Sequence, residues 1–298
     1  MAGFTDRAMR VLCKKYGADH VTTEMISSKA VWYKDKKTFE LGMFDSTEAP
    51  CSVQLFGDDP DVMLHAAREL LARYPYCAVD INMGCPVPKI VKNHEGSALM
   101  KEPELVERIV SRLAENLPVP VTVKIRAGWD SRSINAPEIA RRAEKGGAAA
   151  VFVHGRTREM MYQPSVMLPV IKDVKDAVSI PVIGNGDITD GKSALNMVNV
   201  TGCDALMVGR GALGKPWIFN EIKNSFNETG EFSIPDVKDV IKEHIELKKS
   251  FCTDHIAVNE LRGQIPHYIK GTTGSASMRA KINSATSLTQ IAELVEKM

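Results

Sequence analysis

Seven short apolar runs recur between residues 20 and 211: "HVTTEM" (20–25), "CSVQLFG" (51–57), "AVDINMG" (78–84), "VTVKIRAG" (121–128), "AVFVHGR" (150–156), "PVIGNGD" (181–187) and "ALMVGRG" (205–211). Several are continuously apolar, the pattern of strands covered on both faces in a parallel sheet. Between them the period changes to that of amphipathic helices, in "PDVMLHAARELLARY", "PELVERIVSRLAEN", "APEIARRAEKGG", "LPVIKDVKDA" and "GKSALNMVNVTG". Many of these open on Pro or Asp and close near Gly, which are start and stop signals. The βαβα alternation predicts an α/β chain whose simplest closed form is a (β/α)8 TIM barrel. A doubly wound sheet is the alternative, but no G-x-G-x-x-G follows an early strand. Only seven strands are visible. The first strand of the barrel would precede "AGFTDRAMRVLCKKYGA", so that strand is expected to be missing or truncated, with two unpaired edges left exposed.

A chain of 298 residues accommodates one large domain and a small appendage. We expect a barrel over 1–232 and a small all-helical domain over 233–298. A net charge of +1 excludes a general polycation, so any nucleic-acid footprint must be a local patch. The six cysteines, at 13, 51, 77, 85, 203 and 252, form no C-x-x-C pair and no framework. They read as reduced thiols of a cytoplasmic protein, with no metal site expected. "HEGSA" at 94–98 lacks the second His of a zincin helix. No apolar stretch reaches membrane-spanning length.

Barrel chemistry is built at the C-terminal ends of the strands. The polar residues there are Gln54, Asn82, Cys85, Lys124, Arg126, His154, Arg156, Asn185, Asp187 and Arg210. Any one of them has an ordinary structural reading; a ring of them across the strands points to a site. Lys124 and Arg126 alternate and so share one face of their strand, and apolar neighbours place that face in the barrel interior. "GNGD" and "GRGALGKP" end the last two strands, where barrels commonly bind phosphate on bare backbone. In "DINMGCP" a free-turning glycine and a ring-locked proline hold Cys85 on a rigid corner.

The segments "MAGFTDRAMR", "VQLFG", "DINMGCP", "KNHEGSALM", "VTVKIRAGW", "VFVHGRTREMMY", "IPVIGNGDI" and "DALMVGRGALGKPWIF" together resemble the tRNA-dihydrouridine synthase family (Dus), most closely its bacterial DusB-like branch. The match runs in order from residue 1 to about 220 and continues more loosely through "LRGQIPHYIKG…MRAKIN". Two segments depart from the family pattern: a proline-containing strand before "MAG", and "QPSVMLPV" after "REMMY", where a glycine and an Asp-Trp-like segment are usual. The resemblance implies FMN as cofactor and NADPH as electron donor. It places the flavin against Met1, Ala2, Gln54, Lys124, His154, Asn185, Gly186, Asp187, Gly209 and Arg210. Cys85 matches the proton donor. Asn82, Lys124, Arg126 and His154 would face the flavin and a uracil flipped from its stack.

The chemistry follows from the residues so assigned. Saturating the 5,6 double bond of uracil takes a hydride at C6 and a proton at C5, and a thiol kept protonated on an apolar loop can be the general acid. Lys124 would favour the anionic reduced flavin. From Leu261 to Ala292 there is no Asp or Glu, while Arg262, Lys270, Arg279 and Lys281 are present with His267 and Tyr268 available to stack. That composition suits tRNA; a solvated helical bundle is its plain alternative. The expected protein is a monomer that reduces specific tRNA uridines. The competing readings are an FMN barrel acting on a free pyrimidine, as dihydroorotate dehydrogenases do, and a flavin-less RNA-binding scaffold.

Overall fold

The computed structural model describes residues 3–163, 165–227, 232–272 and 274–298; Met1 and Ala2, assigned above to the flavin, lie outside the described residues. Seven strands form at the seven apolar runs: β1 Val21–Ser27, β2 Cys51–Phe56, β3 Ala78–Met83, β4 Val121–Gly128, β5 Ala150–Thr157, β6 Val182–Asn185 and β7 Ala205–Met207. They lie in sequence order in one sheet, every neighbouring pair parallel. β6 and β7 are shorter than their apolar runs because the glycine-rich ends turn out of the ladder. Among the described residues β1 and β7 are the two edges of the sheet.

The barrel helices are α1 Arg7–Lys15, α2 Ser28–Trp32, α3 Lys36–Leu41, α4 Pro60–Leu71, α5 Pro88–Val91, α6 Pro103–Ala114, α7 Ala136–Lys145, α8 Leu168–Ala177, α9 Gly191–Thr201 and α10 Ile218–Asn227. The rule of their formation is plain in α4. Asp59 caps the N–H groups of Asp61 and Val62, and Pro60 occupies the first turn, where its missing donor costs nothing. Met63, Ala66, Ala67 and Leu70 then recur at helical spacing and are wholly buried. They pack with Val53, Leu55, Val79, Ile81 and Val106 into one core between sheet and helices. Truncating Leu70 to Ala there would cost about 2–5 kcal/mol.

Odd-numbered residues of β3 and β4 thus face the helices. The even-numbered Asp80, Asn82, Thr122, Lys124 and Arg126 are left for the barrel interior. The remaining helices, α11 Val237–Phe251, α12 Asp254–Tyr268, α13 Ser275–Ser284 and α14 Leu288–Glu296, surround a second core of Ile241, Ile245, Leu261, Ile265, Ile282 and Ile291, which Trp217 joins from the barrel side. This bundle is tied to α1 by polar contacts. Buried Lys248 reaches Asp6 at 2.6 Å, and Arg7 donates to the Phe251 carbonyl at 2.9 Å. Among the described residues no helix is long and apolar enough to cross a membrane.

Candidate active site at the strand ends

Parallel register sets the side chains in tiers. Gln54, Asp80 and Thr122 are direct neighbours on β2, β3 and β4; Asn82 pairs with Lys124 one step higher; Arg126, His154 and Asn185 form the next row across β4, β5 and β6. Gln54, Asn82, His154 and Asn185 each keep only 8–9% exposure, so their tips line a space rather than reach bulk solvent.

Cys85 follows β3 on the corner its flanking residues require. The Asn82 carboxamide oxygen accepts from the N–H of Gly84 at 3.1 Å and of Cys85 at 2.9 Å, and the Cys85 carbonyl accepts from Ser97. Gly96 closes the corner from behind: its φ is +62°, and a Cβ there would stand 2.9 Å from the Cys85 carbonyl oxygen. Only glycine combines that left-handed backbone with so close an approach. Burial pushes the Cys85 thiol up, against a smaller pull down from the Val87 N–H and then from Arg126 and Lys124. It is therefore a proton-holding thiol, the form a general acid needs.

Around it the site is strongly cationic. Lys124 is half-buried and makes no salt bridge among the described residues. Enclosure and then the Arg126 charge bring its pKa down to about 8. Arg126 is locked in place, donating to the carbonyls of Gly84, Thr157 and Met161. Arg156, 1% exposed, donates to the Gln163 carbonyl, to His154 Nε2 at 3.2 Å and to Asp187. Because a guanidinium can only donate, Nε2 of His154 is the acceptor and Nδ1 carries the proton. Burial and four surrounding cations, Lys124, Arg126, Arg156 and Arg210, hold the imidazole neutral with a pKa near 2. His154 thus offers a neutral N–H.

The loops after β6 and β7 form a cradle. Gly186 has φ +128°, and a Cβ on it would meet Val166 at 2.7 Å; a Cβ on Gly211 would meet the Ile188 carbonyl oxygen at 2.0 Å. Asp187 adopts φ +49°. Its carboxylate holds Arg156 on one oxygen and Arg210 at 3.2 Å on the other, leaving Arg210 half exposed beside Gly209. Bare glycine backbone, an outward guanidinium and an enclosed ammonium form a donor set suited to a phosphorylated, electron-poor ring cofactor such as FMN.

Met25, Tyr162 and Asp80 were absent from the expected set, and Arg156 stood there only as one of the polar strand ends, without a role. Met25 puts its sulfur 3.7 Å from Asn82 Nδ2. Arg156 orients His154, and the exposed Tyr162 ring lies between Arg126 and Arg210, 5.9 and 5.0 Å from its centroid. Asp80 is buried beneath Gln54; its even phase with Asn82 was the available signal. The tail departs from expectation. Tyr268 is not available for stacking: it is 6% exposed, because its ring packs in the bundle core and its hydroxyl bonds His244 Nδ1 at 3.1 Å. His267 lies edge-on to Phe4 at 5.5 Å. Arg262 turns inward and donates Nε to the Ala285 carbonyl at 2.6 Å, while Arg279 donates to Ser275 in its own helix. Lys270 and Lys281 are exposed.

Fold and site together define a parallel-barrel protein with a thiol, a ring of cations and a glycine cradle at the catalytic mouth. The model of the Dihydrouridine synthase (Dus) family matches residues 1–298, and the chain belongs to that family. It is 38% identical over 288 residues to "tRNA-dihydrouridine synthase B" of Vibrio vulnificus (strain CMCP6), covering 95% of this chain and 89% of that protein. It is 41% identical over 290 residues to the protein of the same name from Pectobacterium carotovorum, again covering 95% and 89%. Among solved structures, histamine dehydrogenase from Rhizobium sp. 4-9 superposes with a TM-score of 0.58 at 14% identity, over 82% of this chain and 46% of that one, a likeness of fold alone.

Proposed function

We propose that this protein reduces uridines of tRNA to 5,6-dihydrouridine, with FMN bound in the barrel mouth and NADPH as the source of electrons. The observation that carries the reading is the Cys85 corner, held by Asn82 and with its thiol pushed up by burial, beside a cationic, glycine-cradled set of strand ends, in a chain of the Dus family. Bound FMN supplies the hydride that uracil accepts at C6. Gln54, Lys124, His154 and Asn185 would hold its ring, and Gly186, Asp187, Gly209 and Arg210 its phosphate end.

The protein residues then have separate tasks. Cys85 Sγ–H gives its proton to C5, and the resulting thiolate, stabilised by nearby Arg126 and Lys124, recovers a proton from water. Asn82 and the neutral His154 N–H orient the base edge, and Arg126 closes the pocket beside Tyr162. Lys124, without a salt bridge among the described residues, contributes positive charge that a cofactor can use. Division of labour follows the two cores: catalysis in 1–232 and RNA contact in 233–298, with Lys270, Lys281 and Arg279 meeting phosphates. We assign a monomeric enzyme of the cytoplasm. An enzyme of free pyrimidines would have no use for the basic tail.

The test is flavin reoxidation by tRNA after rapid mixing. Cys85→Ala, loaded with FMN and pre-reduced, should fold and bind flavin as the parent does. Its reoxidation by tRNA should be slower by about a hundred- to ten-thousand-fold, the usual worth of general acid catalysis. Equal rates would return Cys85 to a packing role, and reoxidation by free uracil as fast as by tRNA would overturn the substrate assignment.

A further inference from the structure

A string of side chains runs from the barrel interior to the thiol corner. Thr122 Oγ1 donates to Asp80 Oδ1 at 2.7 Å, and Gln54 Nε2 donates to Asp80 Oδ2 at 2.7 Å. Asn82 Nδ2 donates to Gln54 Oε1 at 2.9 Å, and Asn82 Oδ1 accepts from the N–H groups of Gly84 and Cys85. We propose that Asp80 is a positioning residue for the reaction: through Gln54 and Asn82 it sets the orientation of two carboxamides and so holds the Cys85 corner.

Donor and acceptor types fix the sense of the string. A carboxamide can face either way, and nothing within Gln54 or Asn82 decides which. The two ends of the string decide. An ionised carboxylate only accepts and a backbone N–H only donates. With both amides in the observed sense, every link is satisfied. With both reversed, an amide oxygen would face the Asp80 carboxylate and an NH2 group would face the N–H of Cys85. The string therefore has one sense, and Asp80 anchors it.

Packing alone does not account for an acid there. Asp80 is 2% exposed in a strand whose one other polar residue is Asn82, and a carboxylate is costly to bury there. Burial raises its pKa to about 6, with Thr122, Gln54 and Lys124 pulling the other way, so it is an acceptor at neutral pH. An amide in its place would fill the same volume but admit both senses. The carboxylate admits one.

The proposal builds on the reading of Cys85 as proton donor, but the test reads the corner itself. It measures alkylation of Cys85 by iodoacetamide in the full chain, resolved by peptide mass spectrometry. Asp80→Leu should raise the rate about tenfold, since the Cys85 amide loses an oriented acceptor. Asp80→Asn should raise it only about two- to threefold, because its carboxamide oxygen can still accept from Gln54. In an Asn82→Ala background, where the string is already cut, neither change should add anything. Turnover of tRNA should show the same order, with kcat reduced and KM for tRNA unchanged. Unchanged alkylation in a folded Asp80→Leu protein, or effects that multiply in the Asn82→Ala background, would overturn the proposal. Should Asp80→Leu not fold, the Asp80→Asn comparison in the two backgrounds decides alone: no rise, or an equal rise in both, refutes it. A normal alkylation pattern beside a defective Cys85→Ala enzyme would leave the proton-donor reading intact while removing this one.

Discussion

Lys124 is the residue at which function and stability should conflict most openly. Its ammonium is enclosed in the barrel mouth beside Arg126, without a salt bridge among the described residues, and its pKa falls from 10.5 to about 8. Each tenfold loss of proton affinity is worth about 1.4 kcal/mol, so the charged lysine destabilises the flavin-free protein by up to about 3 kcal/mol at pH 7. Lys124→Met keeps an unbranched side chain, one atom shorter, and removes the charge. The variant should therefore be more stable than the parent, by up to that amount, in urea unfolding at pH 7.

The pH dependence supplies the check. A lysine whose folded pKa is depressed binds fewer protons in the native state between pH 8 and 10.5, so parental stability rises with pH across that window. The advantage of Lys124→Met should shrink to about 1–1.5 kcal/mol at pH 9.5. In the same protein FMN affinity should fall, measured by quenching of flavin fluorescence. A variant less stable than the parent at pH 7, or an advantage equal at both pH values, would refute the account of Lys124 as a charge whose burial outweighs its attraction to Asp80.

Gly96→Ala should cost about 1–3 kcal/mol in denaturant unfolding, because a Cβ at φ +62° meets the Cys85 carbonyl oxygen at 2.9 Å; unchanged stability would mean the corner yields freely. His244 is wholly buried with its pKa lowered to about 4 by burial, so as pH falls below 6.5 the unfolded chain takes up a proton that the folded one refuses. Stability is lost toward acid, and His244→Gln should lose about 2 kcal/mol less than the parent between pH 7.5 and 5; parallel stability profiles would contradict this. Lys270→Ala with Lys281→Ala should weaken tRNA binding and reduce the slope of log K against log salt by about 1 to 2. Arg262→Ala should instead lower stability by about 1–3 kcal/mol and leave that slope unchanged, since its guanidinium bonds the Ala285 carbonyl.

The barrel was legible because its signals are local. The strands are short apolar runs, the five helices read between them announce themselves by a first-turn Pro or an Asp cap and an apolar stripe, and all seven strands lie within or beside the runs read as such. The site was legible where topology alone carries the inference. Residues at the C-terminal ends of parallel strands converge whatever their sequence separation, which brought Gln54, Asn82, Lys124, Arg126, His154 and Asn185 into adjacent tiers. Asp80 escaped because one acid inside "AVDIN" acquires meaning only from Gln54 and Thr122, 26 and 42 residues away.

The tail shows the same limit from the other side. Composition counts charges but does not say which are already engaged. Four basic residues and two rings within an acid-free stretch looked like one nucleic-acid surface. Folding divides them, because a helix shows its core only one face. Arg262 lies on α12, whose Leu261 and Ile265 are core, so its long side chain runs inward and meets the open carbonyl where α13 ends. Tyr268 ends the same helix, and its hydroxyl finds a partner in buried His244. A buried carbonyl or imidazole competes for a donor at short range against an RNA that arrives later and in high dielectric, and the internal partner wins. Lys270 follows α12 and Lys281 lies on an outward face of α13, without any such competitor. Electrostatic attraction of tRNA should therefore be carried by those lysines, while the inward residues shape the surface that presents them.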